Sequence, residues 1–311
     1  MSGVAVVLRP QGHMIIFLSD NHIGWRMRSL SSGGKYVVSD EQVVAYERDG
    51  VVFLPSVAGE EWIERVRGGI ERSLIDDKTG EASAYFKRLR LWENDPELRD
   101  FCLHSQVPQI AAGLLNTDKV NLLYDQAFVK EPGTDAPTPW HNDQPYWPVR
   151  GTQVVTLWIA FDPVTQENGG LEFIRGSHKL SKWYRPWDTD ESGKITELFH
   201  GDDDDQYDEM PDFAANRDQY DIVSWEMKPG DAVAFHALTV HGAPGNRRRD
   251  LRRRAYAIRM TGRNVRYYAG KIWNEYITNP ALKTGDPLDS PQYPVLYDAS
   301  QHRERAIGAG I

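Results

Sequence analysis

The chain has 311 residues, 40% of them hydrophobic and 11% aromatic, enough to bury a sizeable core as one domain with insertions or one domain plus a small appendage. A formal charge of -9 and a pI near 5.5 argue against a general binder of nucleic acid or of anionic membrane, whose footprint is a basic surface. A single cysteine, Cys102, excludes an intramolecular disulfide framework; with no signal sequence evident, the expected location is cytoplasmic.

Residues 1–37 fit the rest poorly. Val4-Ala5-Val6-Val7-Leu8 and Met14-Ile15-Ile16-Phe17-Leu18 are short apolar runs, neither near the roughly 20 apolar residues of a membrane span. They read as two extra strands or, preferred here, as an N-terminal extension ending in Ser31-Ser32-Gly33-Gly34. Ser39 with Gln42 three residues on predicts a capping box for a helix through Arg48, which Gly50 would end. Residues 51–54 suit a short buried strand. Over 59–74, Trp62, Ile63, Val66, Ile70 and Leu74 have amphipathic-helix spacing, and 108–115 reads as a further helix.

Beyond that the periodicity shortens. Residues 120–130, 153–161, 171–174, 222–225, 232–235, 239–241 and 253–260 read as strands between Gly, Pro and Asn turns. A mainly β chain with flanking helices predicts a double-stranded β-helix, the cupin-type jelly roll, over residues 38–270, with its ligand pocket at the barrel mouth. A polar insert, 182–220, carries Trp183, Tyr184, Trp187 and the run Asp202-Asp203-Asp204-Asp205. The acidic run reads as a solvated loop lacking EF-hand spacing, while the aromatic residues suit lining or covering a substrate. Residues 271–311, with Trp273, Tyr276, Tyr293 and Tyr297, are expected to wrap the barrel or meet a second subunit of a homo-oligomer.

The chemistry concentrates in Thr138-Pro139-Trp140-His141-Asn142-Asp143-Gln144-Pro145-Tyr146-Trp147. His141 and Asp143 are two apart, so in a strand both project from one face and can reach one ion. His241 supplies a third ligand about a hundred residues later, at the end of an apolar run opened by Pro229-Gly230-Asp231. Two histidines and one carboxylate form the facial triad of non-haem Fe(II) oxygenases, leaving positions for a co-substrate and oxygen. His236 and His178 are rival ligands; His236, five residues before His241, would face the other way along a strand. After His241 comes Asn246-Arg247-Arg248-Arg249-Asp250-Leu251-Arg252-Arg253-Arg254, and a buried arginine there would pair bidentately with a dicarboxylate.

These pieces, in order with Ser39 to Pro55, Asp125 to Pro132, Glu167-Asn168-Gly169-Gly170-Leu171…Gly176-Ser177-His178 and His241-Gly242…Asn246, resemble the phytanoyl-CoA dioxygenase family of Fe(II)- and 2-oxoglutarate-dependent oxygenases, over residues 38–260. The resemblance implies His141, Asp143 and His241 as Fe(II) ligands. It also implies a 2-oxoglutarate arginine. The family's eleven-residue spacing from the distal histidine points to Arg252, whereas the following Arg254-Ala255 points to Arg253, the preferred anchor. Gln126 and Thr156 are candidate 2-oxoglutarate contacts, and Trp147 resembles an aromatic wall of the iron site. A small hydroxyl residue common in the family is here Ala243. The implied reaction consumes 2-oxoglutarate and O2, hydroxylates a small-molecule metabolite, and releases succinate and CO2. Related halogenating enzymes lack the carboxylate, so Asp143 favours hydroxylation. The alternatives are a cupin-type metal enzyme not using 2-oxoglutarate, or a non-catalytic metal- or ligand-binding barrel. A nucleic-acid role for Arg247 to Arg254 lacks flanking basic or aromatic support.

Overall fold

Apolar runs without a polar face need cover on both sides, and this chain provides it with two antiparallel sheets and a flank of helices. The computed structural model describes residues 4–8, 14–18, 36–75, 85–189, 195–197, 207–270 and 275–300. It divides the chain into two units, Met1–Val37 and Val38–Ile311. In the first, β1 (Val4–Leu8) and β2 (Met14–Leu18) pair antiparallel, so the two apolar runs are strands. Residues 31–34, expected to end an extension, lie outside the described residues, as does the acidic run 202–205.

The second unit opens with α1 (Asp40–Asp49). Ser39 Oγ accepts from Gln42 N at 3.3 Å and Gln42 Oε1 accepts from Ser39 N at 2.9 Å, the capping box the sequence predicts. β3 (Val51–Leu54) follows at once, then α2 (Glu60–Ile75), which buries Val66 and Ile70. β4 (Tyr85–Leu89) and α3 (Pro96–His104) are additions to the sequence reading; Asp95 caps α3 by accepting from Glu97 N and Leu98 N. After α4 (Val107–Leu114) come β5 (Lys119–Lys130), β6 (Thr138–His141), β7 (Val149–Arg150), β8 (Val154–Ala160) and β9 (Glu172–Ile174). The insert carries the pair β10 (Trp187–Thr189) and β11 (Ile195–Glu197). The barrel resumes with β12 (Ile222–Ser224), β13 (Ala232–His236), β14 (His241–Ala243) and β15 (Arg253–Gly262), followed by β16 (Arg266–Tyr267) and β17 (Val295–Asp298).

The larger sheet runs β17-β5-β15-β8-β13-β3, with β4 also on β5, and the smaller runs β12-β9-β14-β6. This is the double-stranded β-helix. All seven residues of β8 are buried, because α4 packs on the outer face of β5, β8 and β15 while the inner face meets the other sheet. Trp158 and Phe235 from the large sheet and Phe173 from the small one fill the space between. Ile277, Leu288 and Tyr293 pack with Trp147, Tyr124 and Val154 in a second cluster, so the segment before β17 lies against the barrel. Among the described residues no helix is long and apolar enough to cross a membrane.

The turn Pro229-Gly230-Asp231 sets where β13 begins. Asp231 accepts from Ser56 N at 2.8 Å and from Lys228 N at 2.9 Å, and Gly230 O accepts from Ala58 N at 3.0 Å. Gly230 has φ +92, and a Cβ there would fall 2.3 Å from Ala58 O. Gly230→Ala is therefore expected to destabilise the protein by about 2 kcal/mol or more, seen as a lowered midpoint of urea unfolding; an unchanged midpoint would show that the turn relaxes freely.

Candidate metal centre and its cavity

β14 lies between β9 and β6, with His241 directly opposite His141. Close approach is needed there. A Cβ on Gly242 would sit 3.1 Å from Thr138 O and 3.3 Å from Trp140 N, so glycine lets the two strands meet. The turn before β14 is held by Thr239 N donating to His236 O at 2.8 Å and Thr239 Oγ1 to Gly50 O at 2.7 Å, so the strand starts at His241 rather than at residue 239. Ser177 Oγ, in the Gly-Ser-His segment, accepts from Val240 N at 2.8 Å and fixes the residue next to His241.

Asp143 reaches the histidines by a route other than strand alternation. β6 ends at His141, and Asp143 is helical, φ -75 and ψ -38, at the head of a short turn. That turn is pinned by Asp143 N and Gln144 N, which both donate to Ala237 O, at 2.8 and 3.0 Å. The carboxylate swings back, placing Oδ1 at 3.4 Å from His141 Nε2 and 3.8 Å from His241 Nε2. Thr156 Oγ1 donates to the other oxygen, Oδ2, at 3.2 Å.

The three donor atoms lie within 4.8 Å of one another. Bonds of about 2.1 Å meeting at right angles would set neighbouring donors about 3 Å apart, so ligation draws the three side chains inward by about half an ångström to one ångström or more. Each imidazole is also fixed in tautomer. His141 Nδ1 is 2.8 Å from Pro139 O and His241 Nδ1 is 3.0 Å from Thr239 O. A carbonyl only accepts, so each Nδ1 carries the hydrogen and each Nε2 presents a lone pair inward. The residues fit a divalent metal.

Electrostatics favour the same use. Burial, reinforced by His141, drives the His241 imidazole down to about 3, so it is neutral and able to ligate at physiological pH. Burial alone would raise Asp143, but its contact with His141 and the His241 and Arg259 charges outweigh it and hold the carboxyl below the ordinary range. With His241 neutral, of the His241 and Arg259 charges only Arg259 persists near pH 7.

A cavity adjoins the triad, lined by His141, His241, Thr138, Phe128, Trp158, Leu171, Phe235, Arg253 and Arg259. Arg253 is 2% exposed, with its guanidinium 5.3 Å from the Trp158 ring. Alternation along β15 turns its neighbours outward. Arg252 pairs with Glu71 and Glu131, and Arg254 with Asp162 and Glu71, so Arg252 is corrected from a co-substrate candidate to an outer-surface ion pair. Gln126 shares a strand face with Phe128 on β5. Trp147 stands behind the site, its Nε1 donating to Tyr124 Oη at 2.7 Å. His178 and His236 face each other 5.4 Å apart in another contact and join no metal cluster among the described residues.

Sequence reasoning passed over Arg259 and Tyr146. Arg259 stands six residues after Arg253, an even spacing that puts both on one strand face. Tyr146 packs edge-on to the His141 ring at 5.7 Å and ties the insert to the triad, since its hydroxyl donates to Trp187 O at 2.5 Å and accepts from Trp187 N at 2.8 Å.

A sequence profile of the phytanoyl-CoA dioxygenase (PhyH) family matches residues 46–255. The chain is 27% identical over 175 residues to a probable phytanoyl-CoA dioxygenase of Caenorhabditis elegans, covering 53% of this chain and 51% of that one, about half its length. It is 25% identical over 255 residues to the peroxisomal phytanoyl-CoA dioxygenase of Bos taurus, covering 74% and 71%. Among solved structures, the non-haem α-ketoglutarate-dependent carbocyclase SnoK from nogalamycin biosynthesis superposes with a TM-score of 0.65 at 25% identity, covering 85% of this chain and 99% of that one. EctD from S. alaskensis, solved with 2-oxoglutarate and 5-hydroxyectoine, gives 0.60 at 18% identity over 80% and 85%, a likeness of fold. A profile spanning more than half the chain, on a double-stranded β-helix with a His-Asp-His cluster, establishes that the protein belongs to the phytanoyl-CoA dioxygenase family of non-haem Fe(II)- and 2-oxoglutarate-dependent oxygenases.

Proposed function

We propose that this chain hydroxylates a small-molecule metabolite, with His141, Asp143 and His241 holding Fe(II) and Arg253 holding 2-oxoglutarate. The observation that carries the reading is the convergence of two inward Nε2 atoms and one carboxylate oxygen on a cavity that also contains a buried arginine. When bound, the iron with 2-oxoglutarate and O2 supplies the oxidising power, one oxygen atom going to the substrate and the other to succinate as CO2 leaves.

The protein's part is placement. His141, Asp143 and His241 would hold the metal by three protein ligands and so would leave room on it for the oxoacid and oxygen. Arg253, always charged and planar, suits the distal carboxylate, and the Trp158 ring limits how far its fork can turn. Phe128, Leu171 and Phe235 make the remaining walls apolar, excluding water from the co-substrate. Thr156 acts on Asp143 rather than on the co-substrate, orienting the carboxylate so that Oδ1 faces the histidines. Gln126, on the β5 face that carries Phe128, is proposed as a co-substrate contact, and Trp147 as acting through Tyr124. The substrate would enter where the insert meets the triad, at Tyr146 and Trp187. A small molecule is proposed as substrate because EctD was solved with 5-hydroxyectoine. Cys102 is a buried free thiol, which suits a reducing compartment, and cytoplasmic location is proposed, to be checked by fractionation.

Anaerobic addition of Fe(II) and then 2-oxoglutarate to metal-free protein is expected to produce the visible charge-transfer absorption of a chelated oxoacid, absent from His141→Ala and Asp143→Ala. Iron binding without that absorption would favour a metal enzyme independent of 2-oxoglutarate. In the same titration Arg253→Gln should weaken 2-oxoglutarate about tenfold or more, while Arg252→Gln stays within about threefold of wild type; equal effects would remove Arg253 from its assigned role. Thr156→Val is expected to lower Fe(II) affinity by about tenfold to a hundredfold with unfolding unchanged. Calorimetric titration showing wild-type affinity would mean that Asp143 is positioned without it.

A further inference from the structure

Arg259 is 5% exposed, lines the same cavity as the triad and Arg253, and has its Nε and Nη1 atoms buried with no hydrogen-bond partner. Among the described residues no carboxylate forms an ion pair with it. Aromatic rings surround it instead: Tyr124 at 4.6 Å, Phe128 at 5.6 Å and Trp147 at 5.8 Å from the guanidinium carbon. Aromatic faces steady a cation but offer its N–H groups no acceptor, and an uncompensated buried charge is strongly unfavourable. Asp143, 4% exposed in the triad beside the same cavity, is the opposite buried charge, so in the metal-free protein the two offset each other.

Loading the site upsets that balance. Two positive charges arrive with Fe(II), and Asp143 becomes one of its ligands. Two negative charges arrive with 2-oxoglutarate, one chelating the metal and one for Arg253. Both histidines ligate as neutral imidazoles, and Lys130, whose amine burial and then Arg253 push down to about 6, adds little positive charge at neutral pH. One buried positive charge is left over, at Arg259, which still has two donor nitrogens to satisfy. Resting on the functional reading above, we infer that Arg259 is the substrate-binding residue for a carboxylate, and that the primary substrate is a small apolar or aromatic acid bearing a single negative charge. A monoanion cancels the surplus, whereas a phosphate dianion would overshoot it. A planar carboxylate matches the guanidinium fork, and Phe128, Leu171 and Phe235, which line the cavity, suit an apolar body beside the anion.

The test uses the full chain loaded anaerobically with Fe(II) and 2-oxoglutarate. Benzoate and hexanoate are titrated in, then separately benzamide and hexanamide, following shifts of the charge-transfer band. The acids are expected to shift the band and the amides to need at least about tenfold higher concentration. Arg259→Gln should abolish the acid response and Arg259→Lys should retain part of it, while the affinity of Arg259→Gln for 2-oxoglutarate stays within about threefold of wild type. Formation of the band in each variant shows that the variant has folded. Acid and amide acting alike, or neither acting, would overturn the inference. So would loss of 2-oxoglutarate affinity by about tenfold in Arg259→Gln, which would assign Arg259 to the co-substrate's own metal-chelating carboxylate. Absence of the band from the wild type is a different failure: it strikes the iron and oxoacid reading, and this inference falls with it.

Discussion

Asp143 keeps its charge at 4% exposure, where a lone carboxylate would be several kcal/mol out of place, and the elements around it are those that answer that charge. Thr156 from β8 donates to one oxygen, two imidazoles from the small sheet face the other, and Arg259 from β15 supplies the permanent positive field. No single element provides more than one of these. The site therefore exists only when the two sheets are closed on each other, which ties metal affinity to the integrity of the barrel. Backbone carbonyls complete the arrangement. By accepting from both Nδ1 atoms, Pro139 O and Thr239 O fix the imidazole tautomers before any metal arrives, so little reorganisation accompanies ligation.

The same economy governs β15. Its alternation sorts a crowded run of arginines into two groups, with Arg252 and Arg254 meeting Glu71, Glu131 and Asp162 outside, and Arg253 and Arg259 facing the cavity. The outer pairs are partly exposed and contribute modestly to stability. Their larger effect is on register, since a slip of one residue would bury Arg252 and Arg254 and expose Arg253. Thus the ion pairs on the surface secure the placement of the charge inside.

What the sequence made legible follows from the range over which each constraint acts. The capping box at Ser39 and Gln42 is local chemistry, and so is the Pro-Gly-Asp turn; both are readable because the residues that satisfy one another are neighbours. The triad was legible as a set of residue types, yet the expected mechanism, two ligands on one face of a strand, differs from the observed turn at Asp143. Period-two reasoning named suitable residues because any geometry that returns a side chain two positions on serves the ion equally. Arg259 was harder to read because it lies within the apolar stretch Tyr256 to Met260, and its significance depends on Tyr124, Phe128 and Trp147, which reach it from distant parts of the sequence. α3 carried its own signal, Asp95 ahead of Pro96, but three turns or fewer give little periodicity to count.

The choice of arginine over lysine at position 259 can be argued from a neighbour in the same barrel. Lys130 is buried beside Arg253 and donates to Pro244 O at 2.6 Å, yet burial and the adjacent Arg253 bring its amine down to about 6. An ammonium group in this interior gives up its proton instead of remaining charged. A guanidinium does not, because its charge is delocalised and its intrinsic basicity is far higher. Only arginine can hold a positive charge inside an aromatic box at every working pH, and a charge held that way is of use to the protein only where an anion is to be met.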